Sequence, residues 1–336
     1  MKTQKSSLEL SHFPVMLSEI IHFSSPEKGG IFVDCTFGGG GYSNALLKFP
    51  KTKVIGIDRD SSVFPNADRL LKKYQDRFEF HKKKFSQLDK ILKDCVDTII
   101  FDLGLSSIQL NDLKRGFSFK SKEKLDMTMG LTHISAQEVI NNLSESDLKL
   151  IIKILGEEKE ASTIAKNIVK ARSKKKIVRV DELVDIIEKS KKKKFQKKIN
   201  PSTKTFQALR IFVNKEISEL INGMVNATKF LKPGGKILII SFHSIEDKIV
   251  KFYFNNYSKN RSRPSRYFPE QDRNSSVLFE TYKNKVIKPS SIEVSKNNPS
   301  RSAKLRFATR NQNKFVYPSL LIKKFSKYLD IEATNV

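Results

Sequence analysis

DCTFGGGGYS (34–43) continues directly from the apolar run GIFV (30–33). A strand that ends in an acid and passes into four glycines marks the first β-α turn of a ligand-binding sheet. Gly38, Gly39, Gly40 and Gly41 carry no Cβ, so the backbone can approach a ligand closely. VIGIDRD (54–60) follows one β-α unit later and closes a second strand at Asp58, twenty positions after Gly38. An acid in that position can accept both ribose hydroxyls of a nucleoside. TIIFDLGLSS (98–107) supplies a third acidic strand tip, Asp102, and LKPGGKILIISFHS (231–244) a late apolar strand.

GIFVDCT (30–36), KVIGID (53–58), RFEFH (77–81) and DTIIFDL (97–103) are short, rich in Ile, Val and Phe, and bounded by turn residues. Helical stretches at 43–49, 62–74 and 85–93 separate them. Strand and helix alternating at this spacing predict an α/β fold, a Rossmann-like mostly parallel sheet. The fifth strand (236–242) is delayed by more than a hundred residues. In the gap, SAQEVINNL (135–143), SESDLKLIIKIL (144–155), EKEASTIAKNIVKARS (158–173) and DELVDIIEKS (181–190) show apolar spacings of three and four. Ser135 and Ser144 are N-cap candidates, with Glu138 and Asp147 three residues on. The pattern predicts a helical substrate-recognition domain at 115–198 inserted into a discontinuous domain of 1–114 and 199–336.

The lysine-rich run 189–198 is an exit linker or a phosphate-contacting arm. One helix is expected over 203–230, with Phe206, Leu209, Val213, Ile217, Leu220 and Met224 as its buried stripe and Gln207, Arg210 and Asn214 on its polar side. SVLFETY (276–282) is a candidate antiparallel strand within the Ser-, Asn-, Pro- and Lys-rich stretch 257–298. SAKLRFATR (302–310) is a closing edge strand.

The 336 residues carry a formal net charge of +27, which favours a polyanionic partner through phosphate contacts and counterion release. No apolar run approaches the ~20 residues of a membrane span, so no membrane association is expected. No continuous apolar signal core opens the chain, and a cytoplasmic location is expected. Cys35 and Cys95 flank strands and are expected as core residues without a disulfide. The histidines are scattered without metal-ligand spacing, so no metal site is expected.

The nature of the cofactor follows from what the glycine loop lacks. A dinucleotide loop needs a third glycine where Ser43 stands, and no phosphate-loop lysine motif occurs. Asp34 beside the loop suits a cofactor with an amino group and a positive sulfur, which favours S-adenosylmethionine over NAD. Asp102 can contact that cofactor or accept from a substrate amine, or it can cap the following turn. Phe85 can stack near an adenine or belong to the core; Gln109 can donate to a cofactor or base. His243 lies at the crevice where the fifth strand meets a helix, unless Ser244 and Asp247 simply form a capping box there. Arg301, Lys304, Arg306 and Arg310 form a candidate phosphate-contacting strip.

Taken in order, HFPVMLSEII, DCTFGGGGYS, GIDRD, FDLGLSSIQL, RGFSFKSKEKLDMTM, NPSTKTFQALRIFVNKEI, PGGKILIISFHSIEDKIVK and NPSRSAKLRFATR run from His12 to Arg310. This set resembles the bacterial 16S ribosomal RNA cytosine-N4 methyltransferase family. The resemblance implies a class I methyltransferase that uses S-adenosylmethionine on a cytidine of the decoding region, within the small ribosomal subunit. It places cofactor contacts on Gly40, Gly41, Tyr42, Asp58, Phe85, Asp102 and Gln109. Tyr42 stands where the family usually has His, and Ile108 where it usually has Pro.

The cytosine amine is a poor nucleophile, because its lone pair is delocalised into the ring, so positioning should dominate, with the base flipped out of its stack. Asp102 is the expected acceptor against the N–H, with Ser106, Ser107 and His243 positioning substrate. The oligomeric state is left between monomer and weak homodimer. Rival readings are a methyltransferase with another target, a basic assembly factor without catalysis, and an NAD enzyme.

Overall fold

The computed structural model describes residues 14–191, 200–259 and 277–336. Six strands form one sheet: β1 (Gly30–Asp34), β2 (Thr52–Asp58), β3 (Phe78–Lys82), β4 (Val96–Asp102), β5 (Leu231–Ser241) and β6 (Lys304–Thr309). Their order is β3-β2-β1-β4-β5-β6. The first five run parallel; β6 pairs antiparallel with β5, Lys236 facing Thr309. Central strands are apolar on both faces because both are covered: Phe32, Val33, Ile99, Ile100 and Phe101 are all buried. The strand order reverses between β1 and β4, which opens a crevice beyond their carboxyl ends. Asp34, Asp58 and Asp102 each end a strand at that edge.

One face is covered by α1 (Leu17–Ser24), α2 (Gly41–Leu46) and α3 (Phe64–Tyr74), around Phe32, Phe37, Leu70 and Phe78. Past the crevice a short α4 (Ser107–Asn111) leads to the insertion, α5 (Ala136–Asn142), α6 (Glu145–Ile154), α7 (Ala161–Arg172) and α8 (Val180–Ser190). The chain returns through α9 (Thr203–Asn214), α10 (Glu216–Phe230) and α11 (Ser244–Asn256), then α12 (Ser291–Lys296) and α13 (Ser319–Glu332). Ser135 and Ser144 cap α5 and α6 as their sequences predict, Ser135 in a full capping box with Glu138. Leu148, Ile152 and Ile164 of the insertion share one apolar core with Leu209 and Phe212 of α9, and with Ile99 and Ile239 of the sheet.

Several expectations change. The helix expected over 203–230 is two helices. Lys215 takes a left-handed conformation (φ 53), and α10 starts afresh. Its first N–H groups, from Ile217 and Ser218, donate to the Glu332 carboxylate of α13 at 2.8 Å each. The expected stripe is nevertheless buried along both helices. Helical structure in the insertion begins at Ala136; 116–135 is irregular backbone fastened to the sheet side. There Asn214 donates to Met127 O and accepts from Met129 N, both at 2.8 Å. Gly130 (φ 57) passes so close to the Arg59 carbonyl that a Cβ would lie 1.8 Å from it.

Among the described residues of 276–282 there is no strand, only bridges from Phe279 to Ser258 and Arg310. Cys35 is buried and Cys95 is exposed; both are free. Of the lysine run 189–198, residues 192–198 lie outside the described residues, as do His12 and residues 260–276. Among the described residues no helix is long and apolar enough to cross a membrane.

Candidate active site

The glycine loop is held open by the strand ends around it. Gly38 N–H donates to Asp58 Oδ2 (2.9 Å), and Asp60 N–H donates to Asp58 Oδ1 (2.9 Å). The acid at the tip of β2 is thus aimed along the cavity wall by two backbone donors. Burial raises its pKa above the usual carboxylate value, against the pull of those two N–H groups. Gly38, Gly39 and Gly41 line the cavity. A Cβ on Gly39 would meet nothing within 4 Å, so this residue borders open ligand space. Gly40 faces away from the cavity. Its φ of 76 closes the turn, and a Cβ there would lie 2.7 Å from the Phe37 ring.

Asp34 is not part of the cavity wall. It is fully buried under the loop, where Oδ2 accepts from Ser43 Oγ at 2.8 Å. Burial pushes its pKa up to about 6. Ser43, the residue that spoils the dinucleotide pattern, is the internal partner of this acid. The carboxylate expected beside the cofactor's cationic end is instead a strut between β1 and α2.

Asp102 takes the open role. Its backbone N–H donates to Thr36 Oγ1 (2.7 Å), fixing the tip of β4 to the glycine loop. Oδ2 lies 3.1 Å from the Tyr42 hydroxyl, which also meets Val15 O at 2.5 Å. Oδ1 is buried without a hydrogen-bond partner among the described residues. Burial pushes the Asp102 pKa up to about 8; Tyr42 pulls it down, while Asp34, Glu246 and Glu293 push it higher. When Asp102 is protonated, it can donate to the Tyr42 oxygen while Tyr42 donates to Val15 O.

The remaining expected residues converge unequally. Gln109 and Ser106 line the cavity, but as a capping box of α4: Ser106 Oγ accepts from Gln109 N (3.3 Å), and Gln109 Oε1 accepts from Ser106 N (3.0 Å). Gln109 Nε2 donates to Asp60 Oδ2 at 2.8 Å, beside Arg115 at 2.7 Å. Ser107 is the first residue of α4. Phe85 contributes one wall; its ring stands edge-on to Phe101 at 5.3 Å and occupies the space left by Gly223.

His243, not Ser244, caps α11, and its partner is Glu246, not Asp247. His243 Nδ1 accepts a long bond from Glu246 N (3.5 Å), while Glu246 Oε2 accepts from Phe242 N (2.8 Å) and His243 N (3.2 Å). Burial opposes ionisation of Glu246, but His243, Arg210 and the Phe242 N–H outweigh it and hold its pKa low. Glu216 completes an acid–imidazole–acid group whose ligand atoms lie within 4.8 Å of one another, a spacing that could hold a cation. One member is already paired: Arg210 gives Nε (2.8 Å) and Nη2 (2.9 Å) to the two Glu216 oxygens.

A sequence profile described as the MraW methylase family matches residues 9–311. The chain belongs to the MraW methylase family. Among similar proteins is the ribosomal RNA small subunit methyltransferase H of Parvibaculum lavamentivorans, 39% identical over 303 residues, covering 89% of each chain. The protein of the same name from Ehrlichia ruminantium is 40% identical over 301 residues, covering 88% of this chain and 98% of the relative. A solved rRNA methylase from Streptococcus thermophilus covers 87% of this chain and 95% of its own, at 11% identity and a TM-score of 0.39.

Within this family frame, several cavity residues are ones that the sequence reading did not single out. Glu216 and Glu219 reach the wall on α10, after the break at Lys215, while Arg59 follows the tip of β2 and Met129 sits in the 116–135 loop. The spacing HSIE, an N-cap with an acid three residues on, was the available signal for Glu246. The expected phosphate strip is mostly structural. Arg306 is buried and donates to Asp247 (2.7 Å) and the Tyr282 hydroxyl (2.9 Å), and Lys304 pairs with Asp247 at 3.1 Å. Arg310 is buried and donates to Leu278 O. Arg301 is exposed and, among the described residues, bonds to Asn298 and to no acid. Gln207, Arg210 and Asn214 form a partly buried polar seam, not a solvated face.

Proposed function

We propose that this chain transfers a methyl group from S-adenosylmethionine to the N4 amine of a cytidine in the decoding region of 16S ribosomal RNA, within the small ribosomal subunit. The observation that carries this reading is Asp102, whose buried, unpartnered Oδ1 sits on the cavity that the glycine loop and Asp58 open. The donor fits these residues. Asp58 suits the ribose hydroxyls, the backbone at Gly39 and Gly41 the approach of the cofactor chain, and Phe85 the adenine side. When bound, S-adenosylmethionine supplies an electrophilic methyl group on a sulfonium.

The protein's own residues do the rest. Asp102 Oδ1 accepts from the amine, draws the nitrogen lone pair out of the ring plane and takes up the departing proton. Tyr42 holds that carboxyl in place, and Thr36 holds the Asp102 backbone behind it. A cation in the cavity favours the ionised form of Asp102 and so the acceptor state. His243 and Ser106 act as positioning residues for substrate, with Ser107 beside them at the start of α4. Gln109, Gly40 and Tyr42 shape the loop that borders the cofactor. The insertion 115–198 serves as the substrate-recognition domain of a discontinuous 1–114 and 199–336 body, and the excess of 63 basic over 36 acidic residues draws it to RNA.

Nucleoside mass spectrometry of 16S RNA from cells with and without the gene tests the reading. The expected result is loss of one N4-methylated cytidine; an unchanged modification profile refutes it.

A further inference from the structure

A second cavity adjoins the first and shares Leu105 and Phe242 with it. Its walls are aromatic. Phe117 and Phe119 come from the loop that opens the insertion, and Phe206 from α9; Phe119 and Phe206 meet edge to face at 6.4 Å. At its polar side stand His243 and Arg210. His243 Nδ1 accepts from the Glu246 N–H, so the proton of a neutral imidazole lies on Nε2. The His243 side chain is 92% buried, and its Nε2 has no hydrogen-bond partner among the described residues. Glu246 Oε1 lies 3.1 Å away but outside bonding geometry. Arg210 has spent Nε and Nη2 on Glu216, and its Nη1 has no bond among the described residues.

We infer that this aromatic slot holds the target nucleobase, with His243 Nε2–H and Arg210 Nη1–H facing its N3 and O2 edge. The inference rests on the reading of the chain as a cytosine methyltransferase and specifies how that base is chosen. Cytosine carries two acceptors, N3 and O2, side by side on one edge. Two donors match them and leave the N4 amine free to point across Leu105 and Phe242 toward Asp102. Uracil carries an N–H at position 3, which would face a donor, so the slot rejects it. The base faces stack on phenylalanine rings, which holds a flipped nucleotide without sequence readout by the RNA backbone. Because Phe117, Phe119 and Met127 of its wall come from the insertion, the slot is complete only where the insertion is docked on α9.

The chain contains no tryptophan, which makes Phe119→Trp a sole indole reporter. Phe119 is only half-buried, so both Trp and Leu fit there with the fold intact. The probe is small ribosomal subunits from cells lacking the gene, in the presence of S-adenosylhomocysteine. The emission of Phe119→Trp should be quenched by these subunits, less so by subunits carrying uridine at the target position. Phe119→Leu should lower kcat/KM for subunits by about tenfold, the loss of one stacking partner, with S-adenosylhomocysteine affinity unchanged. Wild-type turnover in Phe119→Leu, or unquenched Phe119→Trp emission, overturns the slot while leaving the methyltransferase reading intact. Quenching by cytidine-bearing subunits with no methyl transfer by the wild-type chain supports the slot and sinks that reading instead.

Discussion

Asp102→Asn separates the two consequences of burying a carboxyl at the cavity. The folded protein raises this group from 3.8 to about 8. That shift of roughly four units corresponds to about 5 kcal/mol between its protonation states. The sign follows from which state ionises first. Between pH 4 and pH 8 the unfolded chain has lost this proton and the folded chain retains it, so stability falls as pH rises through that window. Asparagine has the same shape and never ionises. The variant should therefore match wild type near pH 4 and gain on it by about 1.4 kcal/mol per pH unit up to pH 8.

Catalysis should move the other way. Loss of the acceptor should cost about 10²–10³ in kcat, as loss of a positioned proton acceptor does, with S-adenosylhomocysteine affinity within a few-fold. Urea unfolding at pH 5 and pH 8, paired with methyl incorporation into small subunits, measures both. A stability gap that stays flat with pH would show that Asp102 is not held as a neutral buried acid. Turnover near wild type with intact cofactor binding would falsify its role as acceptor.

In the wild-type protein, kcat/KM should rise with pH through about 8, since only ionised Asp102 is the full acceptor. Tyr42→Phe removes the hydroxyl that lowers this pKa. The pH–rate curve should shift upward, with a stability loss of about 1 kcal/mol for the missing bond; an unmoved curve would detach Tyr42 from Asp102. Gly39→Ala should leave stability within about 0.5 kcal/mol and weaken cofactor binding at least tenfold, as read by calorimetry. Gly40→Ala should instead lower Tm through its positive φ and the Phe37 ring; equal behaviour of the two variants contradicts the loop geometry. Arg306→Ala should cost about 3 kcal/mol by breaking a buried pair and leave the salt dependence of RNA binding unchanged. A shallower salt slope at normal stability would restore Arg306 to the RNA face.

The sheet was legible because its strands are buried on both faces and end in acids that no helix pattern can absorb. Gly38, Asp58 and Asp102 therefore fell where the spacing put them. Which acid faces the cavity was not legible. Asp34 and Asp102 both close central strands, and only the register of the sheet sends one to Ser43 and leaves the other open. The break at Lys215 carries no glycine or proline; it is held by Glu332, more than a hundred residues away, whose carboxylate accepts from the Ile217 and Ser218 N–H groups and whose main-chain carbonyl accepts from Lys215 Nζ. The tail arginines looked like an RNA strip because their partners, Asp247 and Tyr282, come from other elements. The cap of α11 was misplaced by one residue because imidazole can accept at an N-cap as serine does.

The shared core across α9 has a consequence for how new specificities could arise. The insertion is not a cassette that can be lifted out: α6 packs on α9, and the Asn214 bonds and the tight passage of Gly130 over Arg59 rivet its leading loop to the rim of β2. Excising 116–190 would strip the cover from Phe206, Leu209 and Phe212 and expose a greasy helix to water. A transplant to a homologous scaffold must therefore carry α9 with it, graft and anchor together.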